Sequence, residues 1–167
     1  FGAIWPNGST SLINFGTSSN TGNGSNSAAN GALALGAIGL TDAATSSLTI
    51  QNSSTSAGVL TLNGATLNSI SNTIIRNASA SNLTFSNGSS SMGIALGNAT
   101  ENIIQIGGSG NVSIGANLSG LGRSLSLQAT GTGNLTLSGT NTYTGGTSVN
   151  SGVLIVSTAG SLAAQSF

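Results

Sequence analysis

The chain has 167 residues, which suits a single domain, and more than half of them are Gly, Ser, Thr or Asn. Two acidic and two basic residues give a net charge of zero, and there is no Cys and one Pro. So few charges cannot form an electrostatic patch for nucleic acid or for an anionic membrane surface. We therefore expect no nucleic-acid partner.

Catalytic chemistry also lacks the side chains that it needs. The chain has no His, Cys or Lys, and its only carboxylates belong to Asp42 and Glu101. A nucleophilic serine would have no base to activate it, and neither imidazole nor thiolate is present to bind a metal ion. We predict that the protein is not an enzyme and that it uses no metal or cofactor.

The first predicted element is an apolar segment at the amino terminus. Its sequence, FGAIWP, contains Phe1, Ile4 and Trp5. We interpret residues 1–16 as a cap or docking segment and residues 17–167 as the main domain. The longest weakly polar run, residues 31–40, is too short for a membrane helix, so we expect no membrane span.

Apolar and polar residues then alternate along the chain, which is the pattern of half-buried β-strands. Asn-Gly, Gly-Gly and Ser-Gly pairs between these segments are typical of tight turns. We predict an all-β fold, with the twelve alternating apolar residues from Leu60 to Leu137 pointing into the core. The alternating pairs are Leu48 and Ile50, Leu60 and Leu62, Leu83 and Phe85, Ile104 and Ile106, Val112 and Ile114, Leu125 and Leu127, Leu135 and Leu137, and Leu154 and Val156.

A longer period favours a parallel β-helix, or solenoid. Two interleaved series of strand centres recur about every 20 residues: Leu60, Leu83, Ile104 and Leu125, then Leu96, Ile114, Leu137 and Val156. We interpret these as two short strands per repeat, with each coil contributing one strand to each of two or three stacked parallel sheets, and we expect seven or eight coils. The alternative is an antiparallel β-sandwich completed by a terminal strand, because short strands at such close spacing also suit that fold.

Several asparagines lie just before predicted strands. Asn82, Asn102, Asn111 and Asn134 each directly precede an apolar residue that begins one. In a solenoid their amides could bond to the neighbouring coil. The alternative interpretation is that they are ordinary turn residues.

The last third of the chain carries a specific motif. Residues 133–156 read GNLTLSGTNTYTGGTSVNSGVLIV. This segment resembles the autotransporter-associated β-strand repeat, with Asn141, Tyr143, Gly145 and Gly146 in the order of that family. The resemblance implies a β-helical passenger-type region of a bacterial surface protein, and therefore an extracellular or cell-surface location. We interpret Tyr143 as a packing residue in preference to a ligand-binding one.

Ten Asn-x-Ser/Thr sequons make the chain a candidate glycoprotein. They lie at Asn7, Asn23, Asn52, Asn77, Asn82, Asn87, Asn98, Asn111, Asn117 and Asn134.

The two ends of the chain suggest a function. An open solenoid end presents unpaired strand edges, which proteins usually block with charges or Pro, and this chain has few of either. We therefore predict an extracellular structural protein, either a filament protomer that associates end to end or a rod-like surface segment. The residues assigned to self-assembly are Phe1, Ile4, Trp5, Leu162 and Phe167. The alternative is an adhesive module that binds a glycan or a surface, ice included, through rows of Thr and Asn.

Overall fold

The computed structural model describes residues 12–15, 24–25, 32–52, 55–157 and 162, and the described residues form strands and turns with no helix. In chain order the strands are β1 (Leu12–Phe15), β2 (Gly24–Ser25), β3 (Ala32–Leu35), β4 (Ala37–Leu40), β5 (Leu48–Gln51), β6 (Gly58–Leu62), β7 (Ala65–Leu67), β8 (Ile70–Asn77), β9 (Leu83–Ser86), β10 (Met92–Leu96), β11 (Glu101–Ile106), β12 (Val112–Ile114), β13 (Asn117–Ser119), β14 (Ser124–Ala129), β15 (Leu135–Leu137), β16 (Thr147–Val149) and β17 (Leu154–Val156).

These strands form three sheets, and the chain visits the sheets in turn. The first sheet has the order β1-β4-β8-β11-β14-β16, the second β2-β5-β9-β12-β15-β17, and the third β3-β6-β10-β13. All pairings along these paths are parallel, and the one antiparallel pairing among the described strands joins β7 to β8. The predicted parallel β-helix is confirmed, and the antiparallel sandwich is wrong.

Three sheets agree with the expected two or three, but the number of coils and their spacing differ from the prediction. The first four coils each contribute one strand to every sheet, and the described residues form six coils where seven or eight were predicted. Residues at one level of the first sheet lie at uneven intervals, in the series Ile38, Ile75, Ile104, Leu127 and Val149. The interval from Ile13 to its partner Ile38 is shorter than the next one, from Ile38 to Ile75, after which the intervals shorten toward Val149 and approach the predicted period.

The core lies between the three sheets and consists of stacked aliphatic side chains. All twelve residues predicted to point inward are buried, and Phe85, Ile104 and Leu137 are fully so. Small polar residues alternate with them and face outward, as in the pattern of β12, where half-buried Ser113 lies between buried Val112 and Ile114. The period-two interpretation is confirmed for strands such as β9, β10, β12 and β15, which bury one face only, whereas β4 and β11 of the first sheet bury residues on both faces.

Asparagine side chains link successive coils at the entry to the second sheet. Asn111 N–H donates to Oδ1 of Asn82, and Asn134 N–H donates to Oδ1 of Asn111, both at 2.9 Å. Nδ2 of Asn102, in the first sheet, donates to the carbonyl of Ser124 one coil further on, at 3.1 Å. The prediction that the amide bonds to a neighbouring coil is confirmed for Asn82, Asn102 and Asn111, whereas Asn134 is linked through its backbone N–H.

Glycine fills the corner between the first and second sheets because successive backbones approach closely there. A Cβ atom built on Gly108 would lie 2.0 Å from the carbonyl oxygen of Ser79, and one on Gly131 would lie 2.0 Å from that of Gly108. Any larger residue would push the coils apart. The corner therefore requires glycine for its close approach.

Candidate functional site: the repeat coil and the C-terminal edge

The predicted repeat motif forms the side of the solenoid that follows β15. Asn141 is buried; its Oδ1 accepts from Leu118 N–H at 3.0 Å, and its Nδ2 donates to the carbonyl of Gly139 at 3.1 Å. The amide oxygen thus bonds to the preceding coil, and the amide nitrogen fixes the local turn. Asn141 links two coils where a strand hydrogen bond would otherwise be made.

Tyr143 lies in the apolar core beside that turn. Its side chain is fully buried and belongs to the main apolar cluster, and its hydroxyl hydrogen bonds to Thr147 Oγ1 at 2.7 Å. Burial raises the pKa of Tyr143 above its ordinary value, and the hydrogen bond to Thr147 partly offsets that rise. The ring packs inside the coil and is not available to a ligand from outside.

The two motif glycines make the return to the first sheet. Gly145 N–H donates to the carbonyl of Arg123 at 2.8 Å, and a Cβ atom on Gly145 would lie 2.3 Å from that same oxygen. The carbonyl of Gly146 accepts from Leu125 N–H at 3.0 Å. The motif therefore stacks directly on the coil before it, and all four predicted repeat residues have structural contacts.

The last described coil leaves apolar side chains exposed, and we call its strands β16 and β17 the C-terminal edge. Val149 and Val156 stack on Leu127 and Leu137, which are almost completely buried, yet they are themselves 47% and 39% exposed. Val153 and Ile155 of the same coil are also exposed. Two stacks of inward-facing core residues, one in the first sheet and one in the second, thus end in exposed valine side chains.

This edge differs from the set of residues predicted for self-assembly. Leu162 is half-buried and packs against the core cluster, and Phe1, Ile4, Trp5 and Phe167 lie outside the described residues. The exposure of Val149, Val153, Ile155 and Val156 was not predicted. The signal for the last three is the run Val153–Val156, in which four successive apolar residues break the alternation of a strand with one buried face.

The sequons divide by burial. Asn77 is fully buried, and its Nδ2, the atom that would carry a glycan, donates to the carbonyls of Ser81 and Gly110. Asn52 is also buried, Asn98 and Asn134 are half-buried, and Asn7 and Asn23 lie outside the described residues. Glycosylation stays a prediction, and the exposed positions for it are Asn82, Asn87, Asn111 and Asn117.

The ionisable groups do not converge. Asp42 follows the end of β4, whereas Glu101 begins β11 in the same sheet. By the strand register, Glu101 lies well before the level of Leu40, which places the backbones of Asp42 and Glu101 at least about 16 Å apart along the strands. In the described part of the chain, no group of His, Cys, Asp and Glu could hold a metal ion.

Comparison with known proteins places the repeat in a family. Residues 127–156 match the family described as passenger-associated-transport-repeat. No curated protein and no solved structure matches the chain. Among the described residues no helix is long and apolar enough to cross a membrane. The resemblance to an autotransporter-associated repeat is confirmed over residues 127–156, which indicates a passenger region of a bacterial autotransporter, at the cell surface or secreted.

Proposed function

We propose that the protein is an extracellular structural rod whose protomers associate end to end through the C-terminal edge. The observation that carries this proposal is the exposure of Val149 and Val156 at the ends of two otherwise buried core columns. Such side chains are normally covered by a further coil. A second copy of the chain would supply one.

The topology suits a head-to-tail contact. Among the described strands, β16 and β17 at the C-terminal edge are paired on one side only, and so are β1 and β2 at the opposite end. Because both pairs belong to the first and second sheets, β16 and β17 of one copy can continue into β1 and β2 of the next with parallel register. A heterologous contact that does not close into a ring produces a filament.

The same geometry supports a non-enzymatic role. Paired carboxylates in glycosidases lie about 5 to 9.5 Å apart. Asp42 and Glu101 are separated by more than that along the strands. The absence of His, Cys and Lys leaves the described residues with hydroxyls, amides, backbone groups, two guanidinium groups and two carboxylates, which are groups for packing and binding.

The test is electron microscopy and sedimentation velocity of the native protein and two valine-to-lysine variants. Val156→Lys places a charge at the C-terminal edge, whereas Val59→Lys places the same charge on β6, which is paired on both sides and where Val59 is similarly exposed, at 45%. We expect filaments from the native protein and from Val59→Lys, and monomers from Val156→Lys. Monomeric native protein at high concentration, or equal association of the two variants, would overturn the proposal.

A further inference from the structure

A cleft of about 610 Å³ lies on the outer side of the first sheet, and its lining extends from Asn68 in the β7–β8 turn to Asn150 and Ser151, just after β16. Its floor contains polar side chains from successive coils at one level of the sheet. Arg76 pairs in register with Gln105, and Gln105 with Gln128. Asn150 follows one coil later and donates its backbone N–H to the carbonyl of Leu127 at 3.0 Å. The floor is a row of one guanidinium and three amides across four coils.

One wall of this cleft is the β7–β8 hairpin. Gln105 is buried, and its Nε2 donates to the carbonyl of Leu67 at 3.1 Å and to Oγ1 of Thr73. Because Gln105 lies on the outward-facing level of β11, these bonds hold the hairpin over the outer face of the sheet. The turn residues Asn68 and Ser69 both have positive φ, at 49° and 62°, which is the geometry of a tight hairpin turn. The wall is therefore built by the fold and needs no ligand to form.

Two groups of the floor are free to bind a ligand. Arg76 and Gln128 are half-buried, and in the described ranges neither side chain has a hydrogen bond or ion pair with another residue. Asp42 lines the cleft too, so one anion balances one cation, and Ile70 adds an apolar surface at the hairpin wall. The cleft combines donors, acceptors and a small apolar area with no net charge.

We propose that this cleft is a binding site for a neutral oligosaccharide. Sugar hydroxyls both donate and accept hydrogen bonds, which matches a floor of amides flanked by a guanidinium and a carboxylate. The four strands from β8 to β16 span about 14 Å at the usual strand spacing, enough for a short oligosaccharide across the coils. A volume of 610 Å³ is also within the range of ligand sites in proteins.

Other ligands suit the cleft less well. An extended peptide that adds to a sheet needs an unpaired strand edge, but β8, β11 and β14 are each paired on both sides. An acidic polymer would meet Asp42 beside the single Arg76. A neutral chain that binds through side-chain hydrogen bonds avoids both difficulties. The test can be separated from end-to-end association, because Arg76 and Gln128 belong to β8 and β14, although the floor extends to Asn150, which directly follows β16.

The experiment uses the full chain on an array of short neutral oligosaccharides of glucose, xylose and N-acetylglucosamine, with uronic-acid and sulfated oligosaccharides and peptides as competing classes. The affinity of the best neutral probe is then measured by titration calorimetry for the native protein and three variants. Gln128→Ala and Arg76→Gln remove floor groups. Gln51→Ala is the matched control, since Gln51 is a half-buried glutamine on the second sheet, outside the cleft.

We expect saturable binding of a neutral probe, a loss of about fivefold in Gln128→Ala and about tenfold in Arg76→Gln, and no change in Gln51→Ala. Circular dichroism shows that each variant is folded, and sedimentation velocity of Gln128→Ala shows whether association is unaffected. The proposal is overturned if no neutral probe binds, if only anionic probes or peptides bind, or if Gln51→Ala weakens binding as much as the cleft variants.

Discussion

Replacement of Gly108 by Ala tests how closely the coils stack at the corner between the first and second sheets. The new methyl group would lie 2.0 Å from the carbonyl oxygen of Ser79 and 2.5 Å from its carbon. The neighbouring residue, Gly107, provides a matched control, because a Cβ atom there meets nothing closer than 3.7 Å. The two variants add the same methyl group to adjacent positions of one turn.

The magnitude follows from the contacts that the methyl group displaces. Ordinary van der Waals contact begins at 3.4 Å, so the coils must separate locally until the methyl group and the Ser79 oxygen reach that distance. That movement breaks the hydrogen bonds from Gly108 N–H to Asn77 and from Gly110 N–H to Ser79. Loss of the two hydrogen bonds costs about 1 kcal/mol each, and overpacking costs about 2 kcal/mol. Alanine also stiffens the unfolded chain, which offsets about 0.7 kcal/mol of this cost. The free energy of unfolding should therefore fall by about 3 kcal/mol.

The assay is urea denaturation followed by far-UV circular dichroism for the native protein, Gly108→Ala and Gly107→Ala. We expect the free energy of unfolding of Gly107→Ala to lie within about 1 kcal/mol of the native value, and any difference to be an increase. A Gly108→Ala variant that matched Gly107→Ala would refute the reasoning, because it would mean that the corner can widen without cost.

Two further predictions concern single side chains. Tyr143→Phe removes the hydrogen bond to Thr147 and should cost about 1 kcal/mol at neutral pH. Because burial raises the pKa of Tyr143, the unfolded chain ionises first, so native stability should fall as the pH rises above about 10, whereas the Phe variant should lack this fall. Tyr143 is the only tyrosine and the chain has no Lys, so tyrosinate absorbance reports this group alone; an ordinary pKa would contradict the prediction. Asn111→Ala removes the acceptor for Asn134 N–H and should lower stability by about 1 kcal/mol in urea denaturation. Ser109→Ala, at an exposed position nearby, is its control. Equal stability of the two variants would contradict a stabilising role for the asparagine ladder, the hydrogen bonds that link Asn82, Asn111 and Asn134 across successive coils.

Many strands and their buried faces could be predicted from the sequence because those strands bury one face only. Val112 and Ile114 flank Ser113 in β12, and that short pattern alone identifies the inward face. The asparagine ladder was also predictable, since Asn82, Asn111 and Asn134 each precede an apolar residue that begins a strand. These features depend on one or two neighbouring residues and on nothing further along the chain.

The number of residues per coil could not be predicted from such local patterns. Leu60, Leu83 and Ile104 form an even series in sequence, but they belong to the third, second and first sheets respectively. An alternating apolar pair looks alike on all three sides of the solenoid, so spacing alone does not assign a strand to a sheet. Only in the last coils, as between Leu127 and its partner Val149, does the repeat approach its predicted period.

The cleft wall was missed for a different reason. The β7–β8 turn uses Asn68 and Ser69 at positive φ, with no glycine to mark it. Its backbone contact, from Gln105 to Leu67, joins residues 38 positions apart and has no local pattern. The C-terminal edge was missed because exposure there depends on what stacks above Val149 and Val156, and strand sequence does not carry that information.

The change in coil length along the solenoid separates two kinds of surface. The coils near the C-terminal edge are the shortest and contain little beyond their strands and corners, so their side chains serve stacking. The longer interval between Ile38 and Ile75 contains the β7 hairpin, which leaves the solenoid and returns over the outer face of the first sheet. Since a solenoid coil contacts mainly its neighbours, such an insertion adds a concave surface without disturbing the stack. The long coil is therefore where this chain can acquire a binding site, and the short repeat coils are where it can be extended.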